Sequence, residues 1–241
     1  MIYKIGLMGV TGKMGLEIAS LLSEDFNYRG DHYEMADAVS HSALIRSVEG
    51  VEVRKIVDDP REPVHAWIDF SRPEGTMALL ERIDTPVVIG TTGFSDGEKR
   101  RIETYAERRP VLLSANTSPG MNLFFSFLRS LPGKNEMAWV GDTVLFEEHH
   151  RHKKDSPSGT AKTLLGLLKE KNFEDVQINV VRAGSNKGVH SIRWISDEEE
   201  IEIKHRVFDR KAFARGAITA AAFLIKQTSA RMYSMEEVYR P

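Results

Sequence analysis

Gly9-Val10-Thr11-Gly12-Lys13-Met14-Gly15 stands between an apolar run, Tyr3 to Met8, and a segment in which Met14, Ile18, Leu21 and Leu22 recur at helical spacing. A run that stops so soon at glycine is too short for a helix and reads as a buried parallel strand. The spacing of three and four that follows puts one face of a helix, running to about Ser23, against a core. Glycines between the two let the backbone turn tightly and approach a pyrophosphate, whose charge the free amides and positive end of the helix stabilise. The same glycines also serve a tight strand-to-helix turn with no ligand, and their spacing differs from the commonest dinucleotide fingerprint.

Further strands are expected at Glu34 to Val39, Val51 to Val57, Ala66 to Phe70, Pro86 to Ile89 and Val111 to Ser114. Helix starts follow several of them. Ser71-Arg72-Pro73 offers a cap with proline in the first turn, and Ser95 with Glu98 forms a capping box. Strands alternating with helices predict a parallel sheet with right-handed crossovers. After about Asn122 the strands lengthen: Ala138 to Glu148, Val176 to Arg182, Gly188 to Ser196 and Glu199 to Phe208. The last alternates, with Ile201, Ile203, His205 and Val207 on one face, so its other face is wet or held by a partner. Helices are expected from Ser158 to about Lys171 and from Lys211 to Gln227.

Composition removes whole classes of function. Among 241 residues, 33 Lys and Arg face 35 Asp and Glu, so there is no basic excess to hold a nucleic-acid backbone. Cysteine is absent, which excludes disulfides, thiolate nucleophiles and Cys-ligated metal. The amino terminus meets glycine too early for a membrane span and lacks a signal-peptide pattern. A cytoplasmic protein with neither nucleic-acid nor membrane partner is expected.

Three loops after strands could face one ligand, because ligands of doubly wound sheets bind at the carboxyl edge. Besides the first turn they are Gly90-Thr91-Thr92-Gly93-Phe94 and the stretch Ser114-Ala115-Asn116-Thr117-Ser118-Pro119-Gly120-Met121-Asn122. The second suits hydrogen bonding to a nicotinamide carboxamide, and equally a capped helix start at Ser118 and Pro119. The densest stretch is Glu147 to Ala161, EEHHRHKKDSPSGTA. Histidines and cations running into a Ser-Gly-Thr helix start make an anion site with proton donors. A solvated charge run is the bland alternative. Metal ligation is another, against which the adjacent cations argue, and no metal is expected. Arg182-Ala183-Gly184 and Gly188-Val189-His190 form a fourth candidate, a glycine-bracketed loop between two strands, whose spacing reads first as a hairpin turn. Arg210, Phe213 and Gly216 read as helix-start and packing residues.

The ordered set GVTGKMG, IDFSRPEG, GTTGF, ANTSPGMN, EEHHRHKKDSPSGTA, VRAG with Gly188 and His190, and HRVFDRKAFARGAI resembles the 4-hydroxy-tetrahydrodipicolinate reductases, also called dihydrodipicolinate reductases, of diaminopimelate and lysine biosynthesis. The resemblance runs from the first strand into the last long helix. It implies an α/β chain with a Rossmann-like parallel-sheet domain, 1–122 joined by the returning segment 216–241. The remainder, 123–215, would be an α+β substrate domain whose open mixed sheet assembles a homotetramer. It implies NADPH or NADH held by Gly9, Val10, Thr11, Gly12, Lys13, Met14, Gly90, Thr91, Thr92, Ser114, Ala115, Asn116 and Thr117. It implies His149 as proton donor, Lys153 as second catalytic group, and His150, Ser158, Gly159 and Thr160 as contacts to a carboxylate of a small dicarboxylate substrate.

The family often places an acidic residue at the end of the second strand for the adenosine ribose; here Ser40 and His41 stand there. Without that carboxylate the repulsion of a 2′-phosphate is gone, and Ser40, His41 and Lys13 can contact one, which favours NADPH. Asp37 is the competing ribose acid and would favour NADH. The unperturbed pKa of histidine suits His149 to donate the proton that follows hydride addition. Lys153 suits neutralising a carboxylate or developing charge. Two other readings are a dinucleotide-binding regulator without chemistry, and an oxidoreductase on a related amino-acid intermediate.

Overall fold

A computed structural model describes residues 1–40, 46–55, 63–137 and 139–239. The chain forms two compact units, Met1–Pro119 with Lys211–Pro241, and Gly120–Arg210.

The first unit opens with β1 (Ile2–Met8), α1 (Lys13–Ser23), β2 (Phe26–Tyr28) and β3 (Asp31–Ser40). It continues through β4 (Ser47–Val48), β5 (Val51–Lys55), β6 (Ala66–Asp69), α2 (Pro73–Leu80), β7 (Val87–Ile89), α3 (Asp96–Ala106) and β8 (Val111–Leu113). The second unit holds α4 (Pro119–Ser130), which starts at the junction, then β9 (Asp142–His149), α5 (Gly159–Glu170), β10 (Val176–Arg182), β11 (Val189–Ile195) and β12 (Glu200–Arg206). The chain returns to the first unit as α6 (Lys211–Ile225), β13 (Met232–Tyr233) and α7 (Met235–Tyr239).

In the first unit a nine-stranded sheet runs β13-β8-β7-β6-β1-β3-β5-β4, with β2 on β3. All neighbours are parallel except the β2–β3 and β4–β5 pairs. Helices cover both faces, as a parallel sheet requires. Ile18, Leu21 and Leu22 of α1 and the alanines of α6 pack with Leu7, Ala38 and Val53 on one face. Met77 and Leu80 of α2 and Ile102 and Tyr105 of α3 pack with Val39, Trp67 and Val87 on the other. The order reverses at β1, so the glycine turn that follows it sits at the switch point.

The second unit is a four-stranded sheet, β10-β9-β11-β12. Phe124 and Leu128 of α4 and Leu164 and Leu168 of α5 pack with Leu145, Ile192 and Trp194 on one of its faces.

Local signals give the right elements with small shifts at their ends. The Ser95–Glu98 capping box is formed. In α2 the cap position is Arg72, not Ser71, and carries no side-chain cap. The expected strand at Ala138 to Glu148 begins at Asp142, and Ala138 lies outside the described residues. The strand expected at Val51 to Val57 is described to Lys55. The unit divisions fall at 119/120 and 210/211, a few residues before the expected 122/123 and 215/216. α6 stays whole and α4 lies in the second unit but for its first residue, Pro119, each helix inside the core it packs against. The expected hairpin between Arg182 and His190 is not formed. β9 lies between β10 and β11, parallel to the first and antiparallel to the second. The apolar alternation of β12 lies on the helix-covered face, with Ile203 packed against the core.

Candidate active site

The first unit presents the ends of β1, β6, β7 and β8 along one edge. Gly9 turns at φ 83° and a Cβ there would sit 2.5 Å from the Phe70 carbonyl, so the turn and the next strand's loop approach as only glycine permits. Gly12 caps α1 without a side chain, which leaves the first amides of that helix to a ligand. A cleft of about 630 Å³ lies here, lined by Gly9, Thr11, Gly12, Ser40, Phe70 and Arg72 among others. Thr11 and Ser40 hydroxyls are 2.8 Å apart, tying the turn to the tip of β3. Lys13 is exposed and Met14 half-buried at the start of α1.

Asp69, fully buried at the end of β6, ties two of these loops together. It accepts hydrogen bonds from the Ser71 amide at 2.9 Å and the Thr91 hydroxyl at 3.2 Å, and one from Thr76. Burial raises its pKa against those hydrogen bonds. Gly90, Thr91 and Thr92 are thereby fixed to the Phe70–Arg72 loop. In the third loop Ser114 and Asn116 close a turn on themselves, and the Thr117 hydroxyl donates to the Phe213 carbonyl at 2.8 Å. Thr117 thus fastens its loop to α6 through the Phe213 backbone.

Asp37, expected as the competing ribose acid, already has a partner within the sheet. It lies inside β3, three positions short of Ser40, and forms a buried ion pair with Arg54 of β5. Its carboxylate is committed to that guanidinium on the face away from Ser40. His41 lies outside the described residues.

The second unit gathers a buried charged cluster. Register aligns Arg182 of β10 with His149 of β9, Glu147 with His190 of β11, and His190 with His205 of β12. Side chains alternate, so these groups share one face. Both Glu147 oxygens accept the Ser158 amide, at 3.2 and 3.0 Å, and one also accepts Arg182. The His149 Nδ1 and the His190 Nε2 stand 3.9 and 3.8 Å from Glu147 Oε2. Ser158 caps α5, its Oγ accepting from the Ala161 amide at 3.1 Å and lying 3.2 Å from His190 Nε2. Lys153 is paired with Asp155 at 2.8 Å on the loop that follows β9.

Electrostatics follow from this packing. Burial works to raise the Glu147 pKa, but hydrogen bonds from Ser158 and Arg182 outweigh it and hold the carboxyl below its ordinary value. Burial pushes His149 down to about 4, with Glu147 opposing and Lys153 and Arg182 assisting. Burial and the neighbouring His149 push His190 down to about 3. This corrects the expectation for His149: in the ligand-free protein it is neutral at pH 7, its pKa taken well away from the unperturbed value by desolvation.

Models of the N-terminal and C-terminal parts of dihydrodipicolinate reductase match residues 3–117 and 120–239. The chain belongs to the dihydrodipicolinate reductase family. Family members are pyridine-nucleotide-dependent reductases of lysine and diaminopimelate biosynthesis. It is 35% identical over 239 residues to the 4-hydroxy-tetrahydrodipicolinate reductase of Bdellovibrio bacteriovorus, covering 98% of this chain and 95% of that one. With the Rickettsia bellii reductase it shares 33% over 266 residues, covering 100% and 96%. A dipicolinate-bound dihydrodipicolinate reductase from Paenisporosarcina sp. TG-14 superposes with a TM-score of 0.69 at 19% identity, over 97% of this chain and 98% of that one. At that identity the likeness is one of fold.

Within this dihydrodipicolinate reductase fold, the sequence-expected residues are brought together unevenly. Gly9 to Gly12, Ser40 and the Gly90–Thr92 loop meet along one edge. His149 and Ser158 meet in the buried cluster, with Gly159 and Thr160 in the first turn of α5 above it. His150 faces His152, rings 6.4 Å apart, and its amide donates to the Asn186 carbonyl at 2.8 Å. Sequence reasoning gave Glu147 no role of its own and read Arg182 and His190 first as turn residues, whereas register brings all three to the His149 face, and it gave Phe70, Ser71 and Arg72 no place in the cleft at the glycine turn, which they line. The signal for the first group was a carboxylate two residues before His149, which places both side chains on one strand face. For the second it was the IDFSRPEG motif, which serves the sequence reading as a helix start and as one of the ordered family motifs.

Proposed function

We propose that this chain reduces 4-hydroxy-tetrahydrodipicolinate, by way of dihydrodipicolinate, to tetrahydrodipicolinate with NADPH or NADH. The observation that carries the reading is the buried Glu147–Arg182–His149–His190 cluster closed by the Ser158 cap of α5. It presents an imidazole and the free amides of the α5 start, with Lys153 on the loop that follows β9, and these donors suit a small dicarboxylate better than a neutral ligand.

The nicotinamide supplies the hydride when bound. The glycine turn fits its pyrophosphate, since Gly9 leaves the space that a Cβ would fill and the α1 amides carry no side-chain cap. Lys13, Met14, Ser40 and the loops at Gly90–Thr92 and Ser114–Thr117 complete the nucleotide side. On the substrate side the Gly159 and Thr160 amides, with the Ser158 hydroxyl and His150, hold one carboxylate, and Lys153 leaves Asp155 to neutralise developing charge. A dianionic substrate raises the proton affinity of the buried His149. The imidazole then binds the proton it delivers to the ring carbon after hydride addition, and returns to its neutral state.

NADPH serves at least as well as NADH in this reading, because the tip of β3 carries Ser40 in place of a carboxylate and Asp37 is neutralised by Arg54. The chain acts as a homotetramer in the cytoplasm, without a metal. The open sheet supports the assembly: α4 and α5 pack on one face, and Phe146, Val181 and Ile195 lie half-buried on the other. Among the described residues no helix is long and apolar enough to cross a membrane. The test is oxidation of NADPH and of NADH with freshly prepared synthase product. Oxidation of neither overturns the reading and favours a nucleotide-binding regulator.

A further inference from the structure

We infer that Lys55, at the end of β5, is the cation that recognises a 2′-phosphate on the adenosine ribose. The inference rests on the preference for NADPH proposed above and assigns it to a residue outside the glycine turn.

Register pairs Ser40 with Lys55, Val39 with Arg54 and Ala38 with Val53 across the parallel β3–β5 ladder. Paired residues of parallel neighbours point to the same face, and successive residues alternate. The core decides which face is which. Ala38 and Val53 pack with Ile18, Leu21 and Leu22 of α1, whereas Val39 packs in the opposite layer with Trp67 and Met77. Ser40 and Lys55 therefore share the face of α1 and its glycine turn, and the Ser40 hydroxyl, 2.8 Å from that of Thr11, agrees. Asp37 and Arg54 lie on the other face and cancel one another.

The two basic residues of β5 thus have different work. Arg54 is buried and neutralises the carboxylate that would have repelled a second phosphate. Lys55 is exposed, beside the strand tip that lines the cleft, and makes no ion pair among the described residues. A lysine there acts as a point charge on a flexible stem, able to follow a phosphate at the ribose without a fixed hydrogen-bond geometry. Ser40 adds a hydroxyl donor one strand away.

The test needs no turnover. Adenosine 2′,5′-bisphosphate and adenosine 5′-monophosphate differ only in the 2′-phosphate, and calorimetric titration of each into the full-length protein reads the contribution of that group. The wild type is expected to bind the bisphosphate at least about tenfold more tightly, as for a charge-assisted contact. Lys55→Met is expected to remove most of that ratio while leaving monophosphate affinity and the melting temperature unchanged. Lys55→Arg is expected to keep it, and Lys13→Ala serves as the comparison cation. A wild-type ratio near one overturns the NADPH preference and this inference with it. A ratio that survives in Lys55→Met but falls in Lys13→Ala overturns the assignment to Lys55 alone. Equal loss of both ligands in Lys55→Met overturns it too, since the lysine would then act on the fold or on the shared 5′-phosphate.

Discussion

Glu147 and Ser158 are joined twice, both carboxylate oxygens accepting the one backbone amide at the start of α5, at 3.2 and 3.0 Å. A strand in the middle of the second sheet thereby fixes where the helix start presents its remaining amides. Arg182 approaches the same carboxylate from the neighbouring strand, so the helix cap, the guanidinium and the two histidines share one buried negative charge.

Glu147→Gln tests that sharing. An amide must turn its NH2 toward either the Ser158 amide or Arg182, which are both donors, and the half-buried guanidinium loses its counter-charge. Loss of about 3 kcal/mol of stability in urea unfolding is expected, with turnover reduced more than stability alone explains. A change below about 0.5 kcal/mol, the size of an ordinary surface substitution, would show that the cluster is not coupled.

His149→Ala and Lys153→Ala are each expected to cut turnover severely while leaving nucleotide affinity close to wild type. Both residues belong to the second unit, and the glycine turn belongs to the first. Turnover within about threefold of wild type in both variants contradicts the proton-donor and charge-neutralising roles.

Acid should destabilise the protein before its carboxylates titrate. His149 and His190 are held near 4 and 3, below the ordinary 6.5. Between those values the unfolded chain binds protons that the native chain does not, so stability falls as pH drops from 6.5 toward 4. The lowered Glu147 adds a loss of the same sign at lower pH. Melting temperatures from pH 7 to about 4.5 should fall in the wild type and fall less in His190→Asn. The same burial predicts proton uptake when a dicarboxylate binds, read as a buffer-dependent heat in calorimetry; no buffer dependence would contradict the charging of His149.

Two glycines separate folding from ligand approach. A Cβ on Gly216 would lie 1.7 Å from the Thr117 carbonyl, where α6 crosses the loop after β8. Gly216→Ala must push backbone apart, and a loss of about 2 kcal/mol or more is expected. Gly159, in the first turn of α5, has nothing within 4 Å of its Cβ position. Gly159→Ala is therefore expected to keep or slightly raise the melting temperature, by up to about 1 kcal/mol of helix propensity, yet to weaken dicarboxylate binding. Unchanged binding would remove Gly159 from the substrate contacts.

The free face and edge strands of the second sheet predict self-association. Light scattering at micromolar concentration is expected to give four times the 27.2 kDa chain mass. A monomer would contradict the assembly. Charges placed at Phe146 and Val181 should lower the mass without unfolding the first unit.

What the sequence by itself determined was local. The strand, glycine turn and helix at the start, the Ser95–Glu98 box and the Ser158 cap were legible because each is set by residues a few positions apart, whose hydrogen bonds close within one turn. The ordered motifs added the family and, with it, the expected roles of His149 and Lys153. Tertiary structure alone decided the rest. That β9 inserts between β10 and β11 depends on which apolar faces bury together, which no local spacing encodes, and it is this order that brings Arg182 and His190 to Glu147. The low pKa of His149 arises from burial by those same neighbours. Asp37 and Arg54 cancel, and Ser40 and Lys55 align, because two strands separated in sequence lie side by side in one register. A side chain's local sequence fixes its chemistry, but its charge state and partner are fixed by what the folded chain packs around it.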